Sequence, residues 1–359
     1  MSTPLARRLV TELAAGGVVR FDAFVERCLY DPDHGFYTAS GGASGRRGDF
    51  ITSPEVGPLF GAVLARALDR WWDEAGRPDP FVVVDAGAGP GTLLRSLLLA
   101  APACARAWQL VAVERSDDLR HRHADLVERG VSSVPTLPEL AGAVVLANEL
   151  LDNLAFRLLE RAGDGWAEVA VAVADGHLAP VLVDAPAADA ALAGRLAPAA
   201  GPGARIPLLT AASAWVDEVL AAGPAHLVVF DYGVPHTAEL VGRPWEDWVR
   251  TYRDHERAGE PWTSAGQADL TVEVAADQLP TGARWSTQAE ALARWGIDEL
   301  VAEGRRIWAE GAAAPTLAVL RARSRIGEAA ALTDRDGLGS WMVGHWGPGS
   351  TESPGRGSR

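Results

Sequence analysis

The sequence predicts an α/β fold built on a doubly wound, mostly parallel sheet, and three observations carry that reading. The apolar run Phe81–Val84 ends at Asp85 and leads into Gly87, Gly89 and Gly91, followed by a leucine-rich segment to Ala100. A run apolar on both faces, then a tight turn and a helix, is the opening unit of such a sheet. Further short apolar runs at residues 109–113, 143–147 and 226–230 have the length and β-branched content of buried strands. The stretches between several of these runs carry helical periodicity or helix caps.

The first turn is the most informative. Its glycines let the backbone turn sharply and let a ligand approach without an intervening Cβ. Pro90 stands where the helix is expected to begin, a position that needs no N–H, and the helix amides would face the ligand. Thr92 occupies the place where a dinucleotide fingerprint requires Gly or Ala. The absence of a following Gly-Lys-Ser/Thr excludes a phosphate-binding loop. The second strand ends in Glu114, where a carboxylate can accept both hydroxyls of a ribose. The turn together with Glu114 fits S-adenosylmethionine (SAM) better than NAD, because SAM has no pyrophosphate for a helix N-terminus to hold. The turn alone would also serve another nucleotide, or an α/β unit that binds nothing.

At 359 residues the chain can form one large α/β domain with insertions, or two domains. The net charge is −14 and all 33 basic residues are arginine, which argues against non-specific nucleic-acid binding. The acidic balance mildly favours a basic substrate, although a solvated surface also accounts for it. Cys28 and Cys104 lie far apart in apolar surroundings and are expected to be buried and reduced, as in a cytoplasmic protein. No Cys/His spacing suits a metal, and His121 and His123 are expected at the surface. No run reaches transmembrane length. The N-terminus lacks the apolar core of a signal peptide, and Glu12 argues against a transit peptide.

Residues 4–15 and 21–30 read as amphipathic helices, and residues 55–76 as a third. Between them lies a Gly/Ser/Asp/Pro-rich loop, residues 30–57, whose Tyr30, Phe36, Tyr37 and Phe50 predict that it packs on something. Ser116 caps a helix expected to run to Gly130. Residues 156–184 alternate apolar and polar between Gly-Asp turns and predict hairpins, and residues 185–204 a variable connection. Helices follow from residue 286 to about 325, then a strand within 337–346. These signals divide the chain into an N-terminal helical or lid region (1–78), a core (79–325) with insertions at about 156–205 and 234–285, a C-terminal strand (326–346), and a disordered tail (347–359).

In open α/β sheets ligands bind at the carboxyl ends of the strands. Four strand ends here are polar: Asp85, Glu114, Asn148–Glu149 and Asp231–Tyr232. Some of these will only cap turns. Glu149 and Asp152 would share a face if a helix has begun. Methyl transfer from a sulfonium needs alignment of the nucleophile more than activation of the leaving group. A guanidinium acceptor would need carboxylates to orient it and to support its charge.

The segments GDFITSPEVGPLFG (48–61), VVVDAGAGPGTLLRSLL (82–98), VERSDDLR (113–120), LANELLDNLAF (146–156), FDYG (230–233), RTYRDH (250–255), GQADLTVEV (266–274) and STQAEALARWGI (286–297) occur in this order. Together they resemble the MidA family of SAM-dependent methyltransferases, which includes the mitochondrial complex I assembly arginine methyltransferase. The resemblance spans roughly residues 20–325 and implies a class I, Rossmann-like methyltransferase fold. It implies that Asp85, Gly87, Gly89, Gly91, Glu114 and Ser116 bind SAM, that Asp49 and Thr52 close over its methionine end, and that Asn148, Glu149 and Asp152 lie beside the methyl group. Tyr37, Phe50, Asp231, Tyr232 and Asp269 are the candidate acceptor contacts. The chain departs from the family pattern at Asn153, where Ala is usual, at Ala155, where Pro is usual, and at the final SWMVGHWGPG.

The leading expectation is a SAM-dependent methyltransferase acting on a protein arginine. The alternatives are an O- or N-methyltransferase of a small molecule, and a non-catalytic SAM-binding assembly factor that uses Trp245, Trp248 and Trp262 as a partner surface. No nucleic acid, membrane or metal is expected, and the oligomeric state is not readable.

Overall fold

The computed structural model describes residues 3–39, 52–253 and 256–348. The run FVVVDA is strand β1 (Phe81–Ala86), and β2 (Trp108–Val113), β3 (Ser132–Val134) and β4 (Val144–Asn148) follow. β1 pairs in parallel with β2 and with β4, and β2 with β3. Alternate residues point to opposite faces. Val84, Val111 and Val145 enter one apolar layer, while Val83, Leu110 and Val144 enter the other. Burial on both faces is why these strands read as continuous apolar runs rather than alternating ones.

An antiparallel sheet follows β4: β5 (Arg157–Ala162), β6 (Gly165–Ala174), β7 (His177–Asp184) and β8 (Arg205–Leu208). These are the hairpins predicted for residues 156–184. β9 (His226–Asp231) then returns to the main sheet, parallel to β4. β10 (Val249–Arg253) and β11 (Asp269–Val272) form an antiparallel pair. β12 (Arg284–Thr287) and β13 (Met342–Trp346) close the main sheet, antiparallel to each other and with β13 antiparallel to β9. The seven strands run β12-β13-β9-β4-β1-β2-β3. Strand order reverses between β1 and β4, and that crevice is where a doubly wound sheet binds ligands.

Helices cover both faces. α1 (Pro4–Leu13) and α2 (Phe21–Tyr30) pack on one side through Leu5, Leu9, Phe21 and Phe24. α3 (Pro58–Glu74) and α4 (Thr92–Ala100) pack on the other through Leu64, Leu68, Leu94 and Leu97. α5 (Thr210–Ala221) joins the first layer through Val216 and Val219. α6 (Gln288–Arg294), α7 (Ile297–Gly311) and α8 (Leu317–Leu332) join the second through Leu292, Ile297 and Leu332.

Several local expectations are corrected. α4 begins at Thr92 with Gly91 as its left-handed N-cap, so Pro90 lies two residues before the helix. The helix expected after Ser116 is two short ones, Asp117–His121 and Ala124–Glu128. They bracket His123, which is fully buried rather than at the surface. Residues 185–204 are not only a connection. They include the helix Ala187–Leu196, whose Ala193 packs with Leu159 and Ile206. Trp248 and Trp262 are buried, and Trp245 stacks on Trp262 at 5.7 Å, so the three indoles do not form an exposed surface. Their large apolar rings favour the interior over water. α8 extends the C-terminal helices to Leu332. Cys28 and Cys104 are buried and unbonded, as expected. The tail from residue 349, Asp49 and Phe50 lie outside the described residues.

Candidate active site

The turn after β1 holds Gly87, Gly89 and Gly91 at φ of 72°, 52° and 84°, a region that side chains with a Cβ rarely enter. The amides of Gly87 and Ala88 both donate to the Val113 carbonyl at 2.9 Å, which ties the turn to the end of β2. A Cβ on Gly87 would sit 3.0 Å from Leu150, and one on Gly91 only 2.4 Å from Leu126. Glu114 follows β2 directly. Its Oε2 accepts from Gly89 N at 3.0 Å and its Oε1 from Ser116 N at 2.7 Å. Burial raises the Glu114 carboxyl above its ordinary value, and those amides pull it back.

Gly87, Gly89 and Glu114 form one wall of an open cleft whose non-protein space, solvent at its mouth included, is about 1290 Å³, while Gly91 packs behind it against Leu126 and is not on the wall. Asp85, Gly87, Gly89, Glu114 and Asn148 all line it, as does Thr52. Asp85 Oδ2 is buried with no protein partner. Burial first, and the Glu114 charge second, push the Asp85 carboxyl up to about 7. Ser116 is not on the wall. Its hydroxyl caps the helix that follows and donates to the Tyr37 carbonyl at 2.7 Å, which joins the turn to the N-terminal segment.

The opposite wall rises from the ends of β4 and β9. Phe230 is the register partner of Asn148, and its carbonyl accepts the Glu149 amide at 2.8 Å. Glu149 takes φ +53°, so no helix has begun there and the expected shared helical face does not exist. The turn Leu151–Asn153 instead carries Asp152 round to the same cleft. Asp231 Oδ2 accepts from the amides of Leu151 and Asp152 at 3.0 and 3.3 Å. Asp231 therefore builds this turn from behind and does not line the cleft. Asn148 Nδ2 donates to Glu149 Oε1 at 2.9 Å and orients it, while Asn148 Oδ1 is buried without a partner.

Residues distant in sequence complete this wall. The Tyr37 hydroxyl lies 2.9 Å from Asn153 Oδ1 and 3.1 Å from Asp269 Oδ1. The Tyr232 hydroxyl donates to Thr271 Oγ1 at 2.5 Å, and the Arg250 guanidinium sits 4.9 Å from the Tyr232 ring. Tyr252, Trp341 and Glu55 also line the cleft and were not singled out from sequence. Glu55 had a local signal, the capping box it forms with Thr52. Burial, then the Asp152 and Glu55 charges, hold Glu149 well above the usual carboxylate range. Burial and Asp269 do the same to Asp152.

Residues 63–293 match the model of a family described as S-adenosyl-L-methionine-dependent methyltransferases (Methyltransf_28). The chain belongs to that family. The methyltransferase superposes with TM-score 0.80 and 28% identity on a COG1565 superfamily member from Burkholderia thailandensis bound to S-adenosyl-homocysteine, over 96% of this chain and 92% of that one. It is 36% identical over 94 residues to the protein arginine methyltransferase NDUFAF7 homolog of Drosophila melanogaster, 26% of this chain and 21% of that protein. The Bos taurus NDUFAF7 matches at 34% over 96 residues, 27% and 22% of the two chains. These matches span about a fifth of the curated relatives' length.

The family is described as SAM-dependent, and the cleft fits SAM. Two of the three orphaned acceptors in the cleft, Asp85 Oδ2 and Asn148 Oδ1, lie nearest the turn and call for ligand donors, and SAM carries an ammonium and two ribose hydroxyls. Glu114 would take the hydroxyls and Asp85 the ammonium. A cation favours ionised Asp85, whose carboxyl is held at about 7. SAM affinity is therefore expected to fall roughly tenfold per pH unit below that value. Calorimetric titration across pH 8 to 6 measures this, and Asp85→Asn should bind more weakly with a flat profile. A flat wild-type profile would place the ammonium elsewhere. The sign reverses for the empty protein: the folded state binds the proton more tightly, so Asp85 adds stability as pH falls through about 7. Among the described residues no group of Cys, His, Asp or Glu could hold a metal, and no helix is long and apolar enough to cross a membrane.

Proposed function

We propose that this methyltransferase modifies a guanidinium nitrogen of an arginine side chain in a protein. One observation carries the reading. Asp152 is 4% exposed, lines the cleft, and leaves Oδ1 without a partner, with Glu149 and Asp269 on the same wall. A buried cluster of carboxylates with an unpaired oxygen is unfavourable until a cation enters. A guanidinium supplies that charge and five donors in a planar fork. Tyr232, Tyr252 and Trp341 also line the cleft, and the Tyr232 ring already carries one guanidinium, that of Arg250. Further support comes from the partial match to proteins named arginine methyltransferases.

Glu149, oriented by Asn148, would align the guanidinium, and Asp152 would hold its second edge. As the N–CH3 bond forms and the S–CH3 bond breaks, the donor sulfur becomes a neutral thioether. The acceptor must then release one proton. Carboxyls held above their ordinary range are suited to take it. The test is incubation of the enzyme with methyl-labelled SAM and a native lysate, followed by mass spectrometry. Label on arginine of a protein is the expected result. Label confined to a small molecule, or to another side chain, would overturn the acceptor assignment.

A further inference from the structure

His123 has no part in the reading above, yet it is fully buried directly behind the glycine turn. Its Nε2 lies 2.8 Å from the Gly89 carbonyl and its Nδ1 lies 2.8 Å from Ser133 Oγ, on β3. A carbonyl oxygen can only accept, so Nε2 must carry the proton. Burial lowers the imidazole's pKa and favours the neutral ring, so Nδ1 is an acceptor and receives the Ser133 hydroxyl hydrogen. The tautomer is thus set by the fold. The other side of the same residue is also held, because Gly89 N donates to Glu114 Oε2 at 3.0 Å. Gly89 stands at the middle of the turn, gripped through its carbonyl by His123 and through its amide by Glu114. A Cβ on Gly91 would come within 3.2 Å of the His123 ring, so the imidazole and the turn are in close packing.

We infer that His123 is a positioning residue for the methyl donor: with its Nε2 proton committed to the Gly89 carbonyl and its Nδ1 steadied by Ser133, it holds the Gly89 peptide in the orientation that presents the turn and Glu114 to SAM. It touches neither donor nor acceptor and acts through the backbone of Gly89. Such supporting hydrogen bonds decide whether a binding group is held in its productive place.

The test uses the full-length enzyme and S-adenosyl-homocysteine, the product of the donor. His123→Phe keeps a ring of similar size and removes both hydrogen bonds. It is expected to weaken binding about tenfold by calorimetry, the scale of one buried carbonyl left unpaired. His123→Gln offers an amide donor to Gly89 and an acceptor to Ser133, and is expected to recover affinity to within roughly threefold of wild type. Nitrogen chemical shifts of the imidazole are expected to report the Nε2–H tautomer. Folded His123→Phe with wild-type affinity, His123→Gln as weak as the Phe variant, or an Nδ1–H tautomer would each overturn the proposal. Should His123→Phe fail to fold, Ser133→Ala decides. It removes the Nδ1 partner that steadies the ring and leaves that buried nitrogen unpaired, and severalfold weaker binding is expected. Wild-type affinity in that variant would refute the role.

Discussion

Glu149→Gln is expected to lower methyl transfer by at least about a hundredfold while leaving S-adenosyl-homocysteine affinity unchanged. The substitution keeps the size of the side chain and the Asn148 hydrogen bond to its oxygen. It removes the charge, and with it an acceptor available to the Ser53 backbone. Glu149 sits in a left-handed conformation at φ +53°, which for a residue with a Cβ costs about 1–2 kcal/mol. That strain aims a carboxylate at the cleft, beside Asp152. The carboxyl is raised by burial and by Asp152, so its ionised fraction grows as pH rises. Transfer should rise with it, and the Gln variant should lose that limb of the pH–rate profile. Single-turnover assays with labelled SAM measure both effects. Transfer within tenfold of wild type would remove Glu149 from the acceptor site.

The second large effect is expected at Glu114. Glu114→Gln should weaken S-adenosyl-homocysteine binding by roughly a hundredfold, the sum of two hydrogen bonds to a charged group. Both carboxylate oxygens already accept a backbone amide, from Gly89 and from Ser116. A glutamine presents an NH2 to one of those N–H groups, so a donor faces a donor. The turn and the carboxylate expected to meet the ribose are disturbed together. Calorimetry reads the affinity and circular dichroism confirms that the fold survives. Affinity within threefold of wild type would mean that the ribose is held elsewhere.

The two sites were legible to different degrees. The donor wall could be read from β1 and β2 because Asp85, the glycines and Glu114 lie within one contiguous unit of chain. Glycines at positive φ and a polar residue ending an apolar run leave a local trace. The acceptor wall left less. Asn148, Glu149 and Asp152 stand out at the polar end of β4 and by the family resemblance, but the helical face that Glu149 and Asp152 would share if a helix began there does not form. Asp231 was read as another cleft group because it too ends a strand, whereas its carboxylate turns inward to two amides. His123 was read as a surface residue because two histidines two apart suggest opposite helix faces. The short helices break around it and turn it into the interior.

Local sequence alone determined the strand ends, the glycine turn, the donor class and the hairpins, because each depends on burial pattern and backbone freedom within a few residues. Only the tertiary structure decided what meets across the cleft. Tyr37 reaches Asn153 and Asp269, which are 116 and 232 residues away in sequence. Tyr232 reaches Thr271, and Arg250 stacks on Tyr232. No periodicity encodes such contacts. They follow from where β10, β11 and the N-terminal segment dock on the sheet, and docking is set by packing summed over the whole core.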